Sequence, residues 1–116
     1  MRKFSKEEFS TIALQNPLLE IVANITAKHT GVTVEEMKDK RNSHHIVAAR
    51  IIYANICRSV VFPQYYIPYF LNRHDSALRY WYSMYDILFD TDIAFAMLMD
   101  KVRTEFNNKL KTLKDV

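Results

Sequence analysis

Glycine is almost missing from this sequence: there is one, Gly31. Small sheet proteins use several glycines in hairpin turns and bulges. Loops that cradle phosphate need them as well, because backbone amides must approach the ligand without a side chain between. One glycine excludes a Walker A loop and a dinucleotide-binding fingerprint, and it argues against a sheet. Cysteine is equally scarce. Cys57 stands alone, so no intramolecular disulfide can form, and a reducing, cytoplasmic setting is expected. No apolar run is long enough for a secretory leader or a membrane span, so no membrane partner is expected.

What is present suits one helical domain. A chain of 116 residues buries roughly two thirds of the surface its unfolded form exposes, enough for a core without a metal. The apolar share of 49% and charged share of 25% are ordinary for a folded protein, so disorder is not expected. The net charge of +3 permits nucleic acid as a partner without requiring it.

Helix signals follow one another with short breaks, giving an all-α fold of about six helices. Ser5 and Glu8 have capping-box spacing, so a short helix is expected over 6–15. Pro17 fits the first position of a second helix, with Leu18, Ile21, Val22, Ile25 and Thr26 at helical spacing and Gly31 as its stop. Thr33 and Glu36 form another capping box, opening a short helix to about Asp39. Asn42 and Ser43 are candidate caps for a helix to about Val60, with Ile46, Ala49, Tyr53, Ile56, Cys57 and Val60 on its apolar stripe and Arg50 and Arg58 off it. Pro63 is expected to open a helix to Leu71 that contains Pro68. After the polar break Asn72–Asp75, the face Leu78, Trp81, Tyr82, Tyr85 and Leu88 marks a helix over 75–89. Residues 90–92 are expected to cap a long last helix with Phe95, Leu98, Met99, Val102, Phe106, Leu110 and Leu113 inward, fraying over 113–116.

A short helix, a tight turn and a second helix with a polar start, at 63–71 and 75–89, have helix-turn-helix shape. In that motif the second helix enters the major groove, and its first residues meet base edges. Arg73, His74, Asp75 and Ser76 occupy those places and have suitable donors and acceptors. The helix start itself attracts phosphate. The plainer alternative is that Asp75 or Ser76 caps the helix and Arg73 is solvated. Lys38, Lys40, Arg41 and Arg50 supply four positive charges within thirteen residues, with His44 and His45 among them. They can neutralise phosphates, or simply form a solvated loop and helix start.

Ten aromatic residues lie between Phe62 and Phe89. Most are expected in the core, with some of Tyr65, Tyr66, Tyr69, Tyr80 and Tyr82 partly exposed. Exposed rings would serve a protein partner or stack on bases. No catalytic, metal or cofactor site is expected. His44 and His45 are adjacent and point apart, Asp90 and Asp92 read as caps, and Cys57 reads as core.

The segment Val32–Phe106 resembles the C-terminal DNA-binding domain of the replication initiator DnaA, a helix-turn-helix of Trp-repressor type. Three stretches carry the resemblance. Val32–Met37 resembles the family's opening helix. Lys40–Ser43 with Ile46–Tyr53 resembles its basic loop and the long helix after it. Leu71–Leu78 resembles the signature around its recognition helix, usually Gly-Arg-Asp-His-Thr-Thr-Val. Here His74 and Asp75 stand in exchanged order, and Ser76 and Ala77 take the places of the paired threonines.

The resemblance implies a domain over 32–116, with residues 1–31 as a helical extension packed on it. It implies a partner, double-stranded DNA. The implied contacts are Lys40, Arg41, Asn42 and Arg50 on the loop and long helix, and Arg73, His74, Asp75, Ser76, Ala77 and Arg79 on the recognition element. It also implies a stand-alone copy of the fold, from a replication or mobile-element context. The alternative is a protein-interaction domain that keeps the fold and binds a partner, or itself, through Tyr65, Tyr66 and Tyr69.

Overall fold

A computed structural model describes residues 16–114; the helix expected over 6–15, with its Ser5–Glu8 box, lies outside that range. The described chain is all-helical. Its six helices are α1 (Pro17–Thr30), α2 (Val34–Lys38), α3 (His44–Cys57), α4 (Tyr66–Phe70), α5 (Ala77–Thr91) and α6 (Ile93–Lys114).

The first two helices start and stop where local chemistry demands. Asn16 Oδ1 accepts from the Leu18 N–H at 3.0 Å, and Pro17 sits where no N–H is needed. Gly31 ends α1 at φ 76°, with its N–H on the Ala27 carbonyl at 2.9 Å. The Thr33 box closes in both directions: the Glu36 N–H donates to Thr33 Oγ1 at 3.0 Å, and the Thr33 N–H donates to the Glu36 carboxylate at 3.1 Å. These bonds hold the Glu36 carboxyl below its ordinary range.

Helix α3 is the axis of the fold and packs against each of the other helices. Its expected stripe is inward, but Ile51, Ile52 and Ala54 are buried as well, so nearly its whole circumference is enclosed. Tyr53 OH donates to the Ile67 carbonyl at 2.7 Å and ties α4 to this axis. Burial pushes the Cys57 thiol well above its usual range, as suits a core residue. On α1 the buried set is Leu19, Val22, Ala23, Ile25 and Thr26, with Leu18 and Ile21 only half-buried. That face is rotated from the expected stripe because α1 packs on both α3 and α6. Residues 16–31 therefore share one core with the rest.

Several boundaries differ from the periodic reading. Helix α3 stops at Cys57, and Pro63 lies in the turn before α4 rather than at its start. The Tyr66 and Ile67 N–H groups donate three residues back, to Pro63 and Gln64, so the chain first winds as a tighter turn. The same pattern precedes α5, where Ala77 and Leu78 donate to His74 and Asp75. Asp90 and Thr91 belong to α5; Asp92 alone caps α6, its Oδ1 accepting from the Phe95 N–H at 3.1 Å. Helix α6 runs to Lys114, and residues 115–116 of the tail expected to fray lie outside the described residues.

Glu105 on α6 meets Lys28 Nζ at 2.8 Å and His29 Nε2 at 3.0 Å, at the end of α1. Hydrogen bonds from Lys28 and then His29 lower its carboxyl pKa from the ordinary 4.5. A carboxyl depressed in the folded state contributes stability above its unfolded value and loses it as pH falls through the folded value. Glu105→Gln should therefore narrow the difference in melting temperature between neutral pH and ~pH 3. Scanning calorimetry at the two pH values measures it.

Candidate nucleic-acid interface

The loop between α2 and α3 is organised by a side chain expected at the surface. Arg50 lies on the second turn of α3 and is only 2% exposed. Its Nε donates to the Met37 carbonyl at 2.8 Å, and its Nη2 to the Asp39 and Glu36 carbonyls at 2.6 and 3.4 Å. Its Nη1 donates to Asn42 Oδ1 at 3.1 Å. The free carbonyls at the end of a helix carry its negative pole. A guanidinium buried against them satisfies several at once, and a five-residue helix that could not persist alone is held in place.

Arg73 joins this cluster from the turn before α5, its Nη2 donating to the same Asp39 carbonyl. Two guanidinium groups thus share one acceptor. Burial first, and the Arg73 charge second, push the Arg50 pKa down to about 10, with Asp39 opposing. Arg50 therefore stays charged at neutral pH. Arg73 Nε is buried with no hydrogen-bond partner.

The turn that delivers Arg73 has its own local logic. Asn72 adopts φ 59°. The Asn72 N–H donates to the Tyr69 carbonyl at 3.0 Å and the Arg73 N–H to the Pro68 carbonyl at 2.9 Å. This pair of bonds is a Schellman closure of α4, with asparagine in the left-handed place that glycine usually fills. Asparagine tolerates that region better than other side chains.

Asn42, Arg50, Arg73 and Ala77 line one cleft of about 160 Å³, together with Val47, Tyr80 and Trp81. Asp75, Ser76 and Arg79, with Leu78, line a second, shallower hollow. Lys40 and Arg41 are exposed beside Asn42, and Arg41 Nε lies 3.3 Å from Asp39 Oδ2. His74 is exposed, its Nδ1 2.7 Å from Asp75 Oδ1 and 3.1 Å from Ser76 Oγ. Four of the expected residues, Asn42, Arg50, Arg73 and Ala77, therefore come from three separate stretches to one cleft.

Two expectations change in detail. Arg50 faces inward rather than off the stripe into solvent. The start of α5 offers little free amide, because the Ala77 and Leu78 N–H groups are used in the preceding turn and the Ser76 N–H meets His74 Nδ1 at 3.2 Å. Neither Asp75 nor Ser76 caps α5 with its side chain. The cleft also includes Tyr80, 53% exposed, which helical spacing from Ala77 could have placed there.

Among the described residues, no three His, Cys, Asp or Glu side chains gather to hold a metal ion, and no helix is long and apolar enough to cross a membrane. Tyr65 stacks edge-on with Tyr66 and Tyr69 at ring distances of 5.1 and 6.2 Å, and all three rings are half-buried.

Arg50→Ala should cost about 2–4 kcal/mol, because three buried or part-buried carbonyls lose a charged donor together. Arg50→Lys should recover only part of it, since one ammonium cannot span acceptors on both sides. Urea unfolding measures both. Asn72→Ala should cost about 1 kcal/mol, whereas Asn72→Gly should be neutral or stabilising.

Comparison with known protein families, with curated proteins and with solved structures returned no match for this chain.

Proposed function

We propose that this chain is a double-stranded-DNA-binding helix-turn-helix module without catalysis, in which α5 enters the major groove and the loop 40–42 lies on the adjacent backbone. One observation carries the reading. Asn42, Arg50, Arg73 and Ala77, drawn from separate stretches of the resemblance to the DnaA C-terminal domain, line a single cleft. A second feature supports it: Asn72 takes a positive φ at the place of the signature's glycine.

The roles divide by exposure. Lys40, Arg41 and Arg79 are the exposed cations, and they neutralise phosphates. His74, Asp75 and Ser76 are exposed at the start of the recognition element, and they meet base edges. Arg50 positions the loop from within. Arg73 does the same with Nη2. A replication or mobile-element setting accompanies this reading.

A protein-interaction domain is the second reading. The observation favouring it is that two of the three matched arginines, Arg50 and Arg73, are already engaged in holding the loop. Tyr65, Tyr66 and Tyr69 would then contact the partner.

Fluorescence anisotropy with a labelled random duplex at low salt separates the two. DNA binding predicts saturation at micromolar protein and a log K that falls linearly with log salt. Lys40→Ala, Arg41→Ala and Arg79→Ala should each weaken binding and reduce the salt slope by about 1. No binding at micromolar protein, with a concentration-dependent oligomer in light scattering, would overturn the DNA reading in favour of the second.

A further inference from the structure

The end of α3 remote from the basic loop carries a second feature. Ser43 and Arg58 are separated along α3 by about 20 Å. There α3 and α6 enclose a groove of about 350 Å³. Its floor is apolar: Ile56 and Phe106 are buried, and Val60 and Leu110 are half-buried. Two arginines, Arg58 and Arg103, also line it.

Both cations are held in place. The Arg58 guanidinium stands 4.3 Å over the Tyr82 ring. Tyr82 OH donates to Gln64 Oε1, and Gln64 Nε2 donates to the Arg58 and Val61 carbonyls at 2.6 and 3.1 Å. Ring, amide and backbone thus fix the turn from which Arg58 projects. Arg103 Nη2 donates to Tyr85 OH at 2.9 Å. Among the described residues, neither guanidinium lies within 4.0 Å of a carboxylate. Side chains already restricted lose less freedom when they bind, so their contacts yield more affinity.

We propose that this groove binds a small amphipathic anion: an apolar chain or ring bearing one carboxylate, with Arg58 and Arg103 on the carboxylate and Ile56, Val60, Phe106 and Leu110 against the apolar body. The volume falls at the lower end of small-molecule sites. A guanidinium matches a carboxylate through paired, charge-assisted hydrogen bonds. The apolar floor separates this ligand from a bare anion or a DNA backbone, neither of which has anything to place on it. The site is independent of the DNA-binding reading, being formed at the other end of α3.

Octanoate is the probe, titrated into the ¹⁵N-labelled full chain and followed by amide NMR, with octanol and inorganic phosphate as parallel arms. The expected result is a saturable shift centred on Asn55, Ser59 and Asn107, the polar residues of the groove. Octanol and phosphate should each bind at least about tenfold more weakly. Arg103→Gln, at an exposed position, should weaken octanoate by about tenfold without lowering the melting temperature. Arg58→Gln should weaken it similarly. Octanol binding as tightly as octanoate would overturn the proposal in favour of an apolar crevice. Phosphate binding as tightly would overturn it in favour of a bare cation pair. Shifts scattered over the surface, or none at millimolar octanoate, would overturn it outright.

Discussion

A positive charge buried against the end of a short helix fixes the loop between α2 and α3. Arg50 brings its guanidinium to the carbonyls of Glu36, Met37 and Asp39, and to the side chain of Asn42. A buried cation is unfavourable unless its hydrogen bonds are met, and here they are met by carbonyls at the end of α2 and by Asn42. The stabilisation runs both ways: the helix end satisfies the cation, and the cation holds the helix end. The loop 39–43 then has little freedom, although it contains no regular structure.

The second arginine extends this arrangement across the molecule. Arg73 reaches the same Asp39 carbonyl from the turn before α5. Burial first, and the neighbouring Arg73 charge second, make Arg50 release its proton more readily than an isolated arginine would. Repulsion of this kind is relieved by an anion. The geometry that steadies the fold thus also sets two positive charges on one backbone carbonyl.

Helix α3 connects this arrangement to everything else. It is enclosed on almost every side and contacts each of the other helices. Its middle carries Arg50, and the turn after its C-terminal end carries Arg58 of the second groove. Tyrosines do the structural work at both α4 and α5: Tyr53 ties α4 to the axis through the Ile67 carbonyl, and Tyr82 supports Arg58. The aromatic richness of residues 62–89 is therefore put to several uses. Trp81 and Phe70 fill the core, while Phe62 and Tyr80 remain in solvent at 67% and 53% exposure.

By itself, the sequence determined the all-helical class, the stop at Gly31, the Thr33 capping box, the Asp92 cap and most of the inward stripes of α3 and α6; Leu113, expected inward, is 48% exposed, and Val60 lies beyond the end of α3. All of these rest on contacts within about four residues, where the order of side chains is enough. Tertiary structure decided what periodicity could not reach. Arg50 reads as a surface cation on a helical wheel, because its acceptors lie eight to fourteen residues away. Arg73 reads as free because its acceptor lies thirty-four residues away. The starts of α4 and α5 shifted because each is preceded by a tighter turn whose bonds compete with regular helix. The rotation of the α1 face had the same kind of cause, since two neighbours rather than one choose what it buries. Apolar pattern records which residues leave water; only the packed chain specifies which distant backbone meets a buried charge.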